Sequence, residues 1–321
     1  MRAIVVPGDT GPMRLDRFLA VHVPGCSRRT AQRAIAAGEV RVNGHRAPKA
    51  QTVTAGDEVE VPDELYVSLQ LQPNPNLRFP VLYEDGALIA INKPAGIPSH
   101  ALRANETDTA ANFLLARYPE LAGVGKSEKE PGLVHRLDSD TSGVLLVART
   151  AAAHRAVRQQ FSAHQVKKEY VAVVHGDVPA AGEVRLPIAH HRHNRRKMRA
   201  CAGSGPTLGA RPAVTRYRPL ERFGAHTLLA VEIPTGVMHQ IRVHLASLGH
   251  PIVGDRLYGG ALCDGDPPRH LLHATRLTLV HPQTGQPFAV ECPPPADFDA
   301  FVARQRVTRR AFAGKARKAR Q

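Results

Sequence analysis

The chain is poor in cysteine, in acidic residues and in long apolar runs. Its four cysteines, Cys26, Cys201, Cys263 and Cys292, lie far apart and form no C-x-x-C pair. That spacing excludes the usual zinc-ligand patterns and a disulfide framework, and it fits a reducing compartment. Asp and Glu number 28 against 43 Lys and Arg, for a formal charge of +15 and a pI near 10.3. An excess of this size points to a polyanionic partner. No apolar stretch approaches membrane-spanning length, and Ile4 to Val6 is too short for the core of a signal peptide. A cytoplasmic protein is expected. No amphipathic basic helix with large apolar residues stands out, which favours nucleic acid over a membrane as the partner. A P-loop and a G-x-G-x-x-G fingerprint are both missing.

Apolar residues make up 43% of the chain and charged ones 22%, the balance of a globular protein with a real core. The 321 residues leave room for two domains. Residues 13–61 read as a small unit. Its first helix, near Leu15 to Val21, carries Leu15, Phe18 and Leu19 on one side. Ser27 is placed to cap a second helix from Arg28 to Ala37, which Gly38 ends. Val40 and Val42, a turn at Asn43-Gly44 and a strand at Glu58 to Val61 follow. Arg29 and Arg33 share a face of the second helix, an arrangement that is most often a solvated surface. The strings RLDRFL and SRRTAQRAIAAGEVRVNG, however, resemble the S4 RNA-binding domain. That resemblance assigns Arg28, Arg29 and Arg33, with Arg41 beside them, to RNA phosphates, contacts that position RNA without reading its bases. Residues 62–78, with Pro73, Asn74, Pro75 and Asn76, carry no core pattern and read as an extended linker.

Residues 79–300 form the larger domain. A strand is expected at Leu88 to Ile91, then Asn92-Lys93-Pro94 and a loop to His100. Lys93 reads equally well as an exposed lysine at a strand end and is given no catalytic role. Helices are expected over Thr107 to Tyr118 and from a Thr150 cap to Ala163. Between them lies PGLVHRLDSDTSGVLLVART, Pro131 to Thr150. Val144 to Val147 reads as a buried strand. The residues feeding it, His135, Arg136, Asp138, Ser139, Asp140, Thr141 and Ser142, are too polar for core. Such a loop holds charged side chains at a fixed edge of a rigid scaffold. A loop Asp usually does no more than shape a turn. Here the string HRLDSDTSGVLLVA resembles the signature of the RluA-type pseudouridine synthases, and the resemblance makes Asp138 the catalytic residue.

Two further blocks extend the resemblance. In KKEYVAVVHG, Tyr170 opens a strand and takes the position of the tyrosine that lies against the target base. In IPTGVMHQIRVHLASLGHPIVGDRLYGG, Arg242 takes the position of the basic residue that pairs with the catalytic Asp. Met238, Ile241, Leu245 and Leu248 make a helical stripe there, with His239 and Arg242 on a neighbouring face. One position departs: the family usually has TGR, and Val237 replaces that Arg. The change bears on RNA affinity or site choice more than on the chemistry. Strands are also expected over Pro212 to Arg218, Thr227 to Ile233 and Leu271 to Val280. The most basic internal run is LPIAHHRHNRRKMRAC. No carboxylate or cysteine joins His190, His191 and His193 in a ligand set, so no metal is expected. The run resembles an RNA-facing hairpin carrying Arg192, Arg195, Arg196 and Lys197. Arg136 and His239, beside the catalytic pair, complete the expected RNA contacts.

From Val302 to Gln321 there are eight Lys or Arg and no acid. Residues 301–321 are therefore expected to be a basic, disordered tail that attracts phosphate. The resemblance implies an α+β fold, an S4-like domain followed by a synthase domain with a mixed, mainly antiparallel central sheet. It implies a cofactor-free isomerase that moves uracil from its N1 to its C5 attachment on ribose, with large-subunit (23S) ribosomal RNA as substrate. A monomer is expected. Whether Asp138 is nucleophile or base toward the ribose stays open. So do two rival readings: Asp138 and Asp140 as a hydrolytic pair, and a non-catalytic RNA-binding or ribosome-assembly factor on the same fold.

Overall fold

Leu15, Phe18 and Leu19 recur at helical spacing, and helix α1 forms over Leu15–His22 with all three buried. A computed structural model describes residues 1–65, 71–101, 106–125, 127–194, 196–203, 207–259 and 267–318, the last of these as backbone alone from 310. Helix α2, Arg28–Ala37, starts where Ser27 Oγ accepts the Thr30 N–H at 3.1 Å and ends at Gly38, whose φ is 73°. Both caps stand where the sequence puts them. Strands β1 (Arg2–Val5), β2 (Met13–Arg14), β3 (Arg41–Val42), β4 (His45–Arg46), β5 (Thr52–Val53) and β6 (Glu58–Val61) form a sheet of order β1-β6-β3-β4 and a separate β2-β5 pair. β1 precedes residue 13 and pairs antiparallel with β6, Ile4 opposite Val59. Phe18, Ile35, Val40, Val59 and Leu65 share one buried core. The first unit therefore extends to both sides of 13–61, and the boundary falls after Leu71, inside the expected linker. The rest of that stretch is tied into the second unit. Asn74 Nδ2 donates to the Thr107 carbonyl at 3.0 Å, and Asn112 Nδ2 donates to the Gln72 carbonyl at 2.6 Å.

The second unit begins at Gln72. Its strands are β7 (Val81–Glu84), β8 (Leu88–Lys93), β9 (Ser142–Ala148), β10 (Lys167–His175), β11 (Gly182–Val184), β12 (Ile188–His190), β13 (Met198–Ala200), β14 (Thr215–Arg222), β15 (His226–Glu232), β16 (Leu272–Val280) and β17 (Pro287–Glu291). Its helices are α3 (Ala110–Arg117), α4 (Ala151–Ser162), α5 (Gln240–Ser247) and α6 (Ala296–Lys318). Nine strands make one sheet, in the order β11-β14-β15-β10-β16-β9-β8-β7 with β17 also on β16. Among the described residues β9 and β16 are its parallel pair, and the other pairings are antiparallel. The fold is α+β with a mixed, mainly antiparallel sheet. All seven residues of β9 are buried, because α4 covers one face. Val144, Leu146, Ala153, Val157 and Leu277 pack there together. Gly143, at φ 115°, lets β9 meet β16: a Cβ there would overlap the Ala274 carbonyl.

The tail departs from expectation. α6 runs to Lys318, and Phe298, Phe301 and Val302 are buried. Phe301 meets the ring of His226 at 5.5 Å, and Arg306 Nη2 reaches Glu221 Oε2 at 2.8 Å. The three apolar residues recur at helical spacing with no Pro or Gly before Gly314, so a buried face organises what the charge count marked as disordered.

Candidate active site

The loop ahead of β9 is fastened through its backbone. Ser99 Oγ donates to the Leu137 carbonyl at 2.8 Å and accepts the Leu137 N–H at 3.0 Å. Lys93, at the end of β8, is fully buried and not at the surface. Its ammonium donates to the carbonyls of Pro94 (2.7 Å), Ile97 (2.7 Å) and Ser139 (2.9 Å). Burial pulls its pKa down to about 7, opposed by the charges of Asp140 and Asp138. From the β16 side, Arg269 donates to the Asp140 carbonyl at 3.2 Å, and His270 and His273 bond the hydroxyls of Thr141 and Ser142 at 2.8 and 2.9 Å. The residues on both sides of Asp138 are thus fixed by groups from distant parts of the chain.

Asp138 meets Arg242 across 104 positions of sequence. Arg242 Nη1 donates to Asp138 Oδ2 at 2.9 Å. The other edge of the guanidinium is held by Asp255, Nε to Oδ2 at 2.7 Å and Nη2 to Oδ1 at 2.9 Å, while Tyr258 lies under it at 5.1 Å. Planar bidentate pairing of this kind fixes orientation as well as charge. Burial opposes both charges, yet the Asp255 hydrogen bonds hold the Arg242 pKa up, and those of Arg242 hold Asp255 down. His239 stands just before α5 in the left-handed conformation, φ 57°. It is therefore not on a helix face with Arg242, as its spacing implies. Its Nδ1 pairs with the Tyr258 hydroxyl at 2.8 Å and its Nε2 lies 3.9 Å from Asp138. The expected stripe is also shorter: Ile241 and Leu245 are buried, and Leu248 is exposed.

A cleft of about 680 Å³ brings together Arg136, Asp138, Tyr170, His239 and Arg242. Tyr170 is nearly buried on β10. Burial, with the Asp138 charge behind it, pushes its phenol well above the ordinary range, so the ring faces the cleft as a neutral hydroxyl. Asp138 Oδ2 is taken by Arg242, and Oδ1 has no partner among the described residues. One fixed carboxylate with a free oxygen beside an aromatic wall is suited to a flat, flipped base attached to a sugar. Residues 87–247, half of the chain, match the family model for RNA pseudouridylate synthase, and 13–59 match that of the S4 domain. The chain belongs to the RNA pseudouridylate synthase family.

Whole-length relatives agree. The chain is 39% identical to the ribosomal large subunit pseudouridine synthase D of Xanthomonas campestris, covering 94% of this chain and 92% of that one. It is 35% identical to the protein of that name in Pseudomonas aeruginosa, over 98% of each. The solved structure of Human RNA Pseudouridylate Synthase Domain Containing 4 superposes with a TM-score of 0.56 and 29% identity, over 70% of this chain and 92% of that one. Membership of the family makes the protein an isomerase acting on RNA.

The other expected contacts are not among the residues that line the cleft. Arg28, Arg29 and Arg33 are exposed on α2 in the first unit, and Arg28 Nε also pairs with the buried Asp16 at 2.9 Å. Arg192 and Arg196 are exposed in the turn between β12 and β13, with Lys197 half-buried. Arg195 lies outside the described residues. That hairpin is anchored to the site by the Met198 N–H, which donates to the Tyr258 hydroxyl at 2.8 Å. Among the described residues no group of His, Cys, Asp and Glu could hold a metal ion, and no helix is long and apolar enough to cross a membrane. Val237, in place of the usual Arg, is buried in an apolar cluster with Ile188, Met198, Ala213 and Val243. Sequence reading missed Asp255, Tyr258 and Ser99. The one available signal for Asp255 was that a buried arginine needs a carboxylate, and Asp255 follows 13 positions after Arg242.

Proposed function

We propose that this synthase converts specific uridines of large-subunit ribosomal RNA to pseudouridine in the cytoplasm, with Asp138 as the reacting group. The observation that carries the reading is the 2.9 Å contact between Asp138 and Arg242 at the wall of a cleft shared with Tyr170. The names of the full-length relatives support the substrate class. The target uridine leaves its stack, which costs a few kcal/mol, and its base lies against Tyr170. Asp138 Oδ1 then acts at the ribose while Arg242 holds Oδ2. The bond from ribose C1′ to N1 breaks, C1′ joins C5, the proton on C5 leaves and N1 gains one, so atoms and charge balance without a cofactor. Tyr170, its phenol kept neutral by burial, serves as a stacking surface and hydrogen-bond donor. Arg136 and His239 face the sugar and backbone from the cleft. The arginines of α2 and of the β12–β13 turn, together with the basic residues of α6, supply phosphate contacts that position RNA.

The test is carbodiimide-stop mapping of ribosomal RNA from cells lacking the gene. A stop should vanish, return with the wild-type gene and stay absent with Asp138→Ala. A complete set of stops in the deletion strain would refute the proposal and favour a non-catalytic RNA-binding role.

A further inference from the structure

Lys93 and Lys168 are the buried lysines among the described residues, and their surroundings differ. Lys93 has a carbonyl for each of its ammonium protons. Lys168, on β10, has one among the described residues, the Thr235 carbonyl at 2.7 Å; otherwise its Nζ faces the ring of Phe161, 5.8 Å from the centroid. The residue is 8% exposed. An ammonium held this way, short of acceptors and of a counter-ion, is unfavourable unless something else completes it. Burial alone moves its pKa down, to about 8.

Lys168 also borders the cleft, whose wall it forms with Arg158, Phe161 and Gly236. Charge there is of one sign: Lys168 and Arg158, added to desolvation, both help to keep the half-buried His135 imidazole neutral. The acids lining the cleft do not neutralise it. Asp138 is committed to Arg242, and Glu130 lies 3.5 Å from His100. Gly236 leaves the ammonium uncovered, since a Cβ there would come to 3.5 Å from Nζ. Lys168 and Tyr170 are two apart on one strand and both point inward, which sets them about 6 to 7 Å apart along β10.

We infer that Lys168 is the cation of a phosphate subsite within the cleft, taking a backbone phosphate beside the flipped uridine while Tyr170 faces its base. The inference rests on the RNA-modifying reading above and deepens it. An oxyanion would supply the missing acceptors and charge at once, where water supplies only the former.

The experiment measures binding of the full chain, in an Asp138→Ala background that stops turnover, to an RNA stem-loop containing the uridine that wild type converts. Lys168→Met should weaken binding roughly tenfold or more and lower the slope of log K against log salt by about 0.7, and Lys168→Arg should restore most of both. A second measurement needs no Lys168 variant. RNAs with one neutral methylphosphonate linkage on either side of the uridine are compared, and one of them should lose about the same factor. In Lys168→Met that same linkage should cost nothing further. Equal binding to every flanking-neutral RNA, or a Lys168→Met protein that folds, binds as tightly as its parent and keeps the salt slope, would overturn the inference. Failure of the function reading shows separately, as Asp138→Ala retaining turnover.

Discussion

Removing Asp255 tests whether Arg242 is positioned or merely present. The Arg242 side chain is 9% exposed and that of Asp255 is fully buried. With Asp255→Ala the guanidinium loses two hydrogen bonds and its buried counter-ion, keeping only Asp138. Breaking a buried pair by deleting one partner costs about 3–5 kcal/mol. At roughly 2–4 °C per kcal/mol for a domain of this size, Tm should fall by about 6 °C or more. Catalysis should fall further than stability explains, because a displacement of about 1 Å at a reacting group costs on the order of a hundredfold in rate. The assay is a single-turnover time course of pseudouridine formation at a temperature where the variant is folded, paired with a thermal melt. The double variant Arg242→Met/Asp255→Ala should be more stable than the sum of its single changes by about 2 kcal/mol, since an apolar replacement of both partners removes the uncompensated charge. Additive melts, together with an Asp255→Ala rate within a factor of two of wild type, would show that Arg242 does not depend on Asp255.

Ser99→Ala removes both hydrogen bonds that pin Leu137 next to Asp138; stability should fall by about 1–3 kcal/mol and kcat should drop with KM unchanged, whereas an unchanged kcat would free the loop of that tether. Gly143→Ala places a Cβ on the Ala274 carbonyl at a positive φ, so the β9–β16 pairing should fail and the protein should be insoluble or strongly destabilised; a normal melt would refute the required close approach. His135 and His270 are driven by burial to about 3 from the usual 6.5, so the unfolded chain binds protons that the folded one does not across that window. Stability should therefore decline as pH falls below about 6.5, by up to roughly 1.4 kcal/mol per unit for each fully titrating histidine. His135→Gln should flatten urea midpoints measured from pH 6 to 5 by about one proton, and an unaltered slope would contradict a neutral His135 that accepts the Leu146 N–H at 2.9 Å.

How far the fold could be read from the sequence depended on whether period and punctuation agreed. α2 had a cap, a helical face and a closing glycine, and its bounds match the expectation residue for residue. β9 was expected as a buried strand from Val144 to Val147 and extends to Ser142–Ala148, because its two faces are both covered and its ends are small residues. β1 left no trace. Four residues with Ile4 half-buried and the rest exposed show no alternation, and their strand character comes from pairing with β6. α6 was obscured by its own charge: a run of Arg and Lys reads as a solvated tail until Phe298, Phe301 and Val302 are seen to share a side. The parallel pairing of β9 with β16 joins residues 131 positions apart, Ser142 to His273, and no local pattern encodes such a partner.

The site divides in the same way, and the division has a chemical reason. Asp138, Tyr170 and Arg242 line the cleft, and each was legible because it sits in a long string that resembles the family's blocks. The cage behind them is made of groups that every residue carries. Lys93 is held by the carbonyls of Pro94, Ile97 and Ser139, and Ser99 acts on the backbone of Leu137. A carbonyl leaves no mark in a sequence, so an exposed and a buried Lys93 read equally well, and it is the three carbonyls that tie β8 through Lys93 to the loop of Asp138. Lys168 makes the complementary case. It too is buried, but among the described residues one carbonyl reaches it where three reach Lys93, and the phosphate inferred above would supply the acceptors that the fold does not.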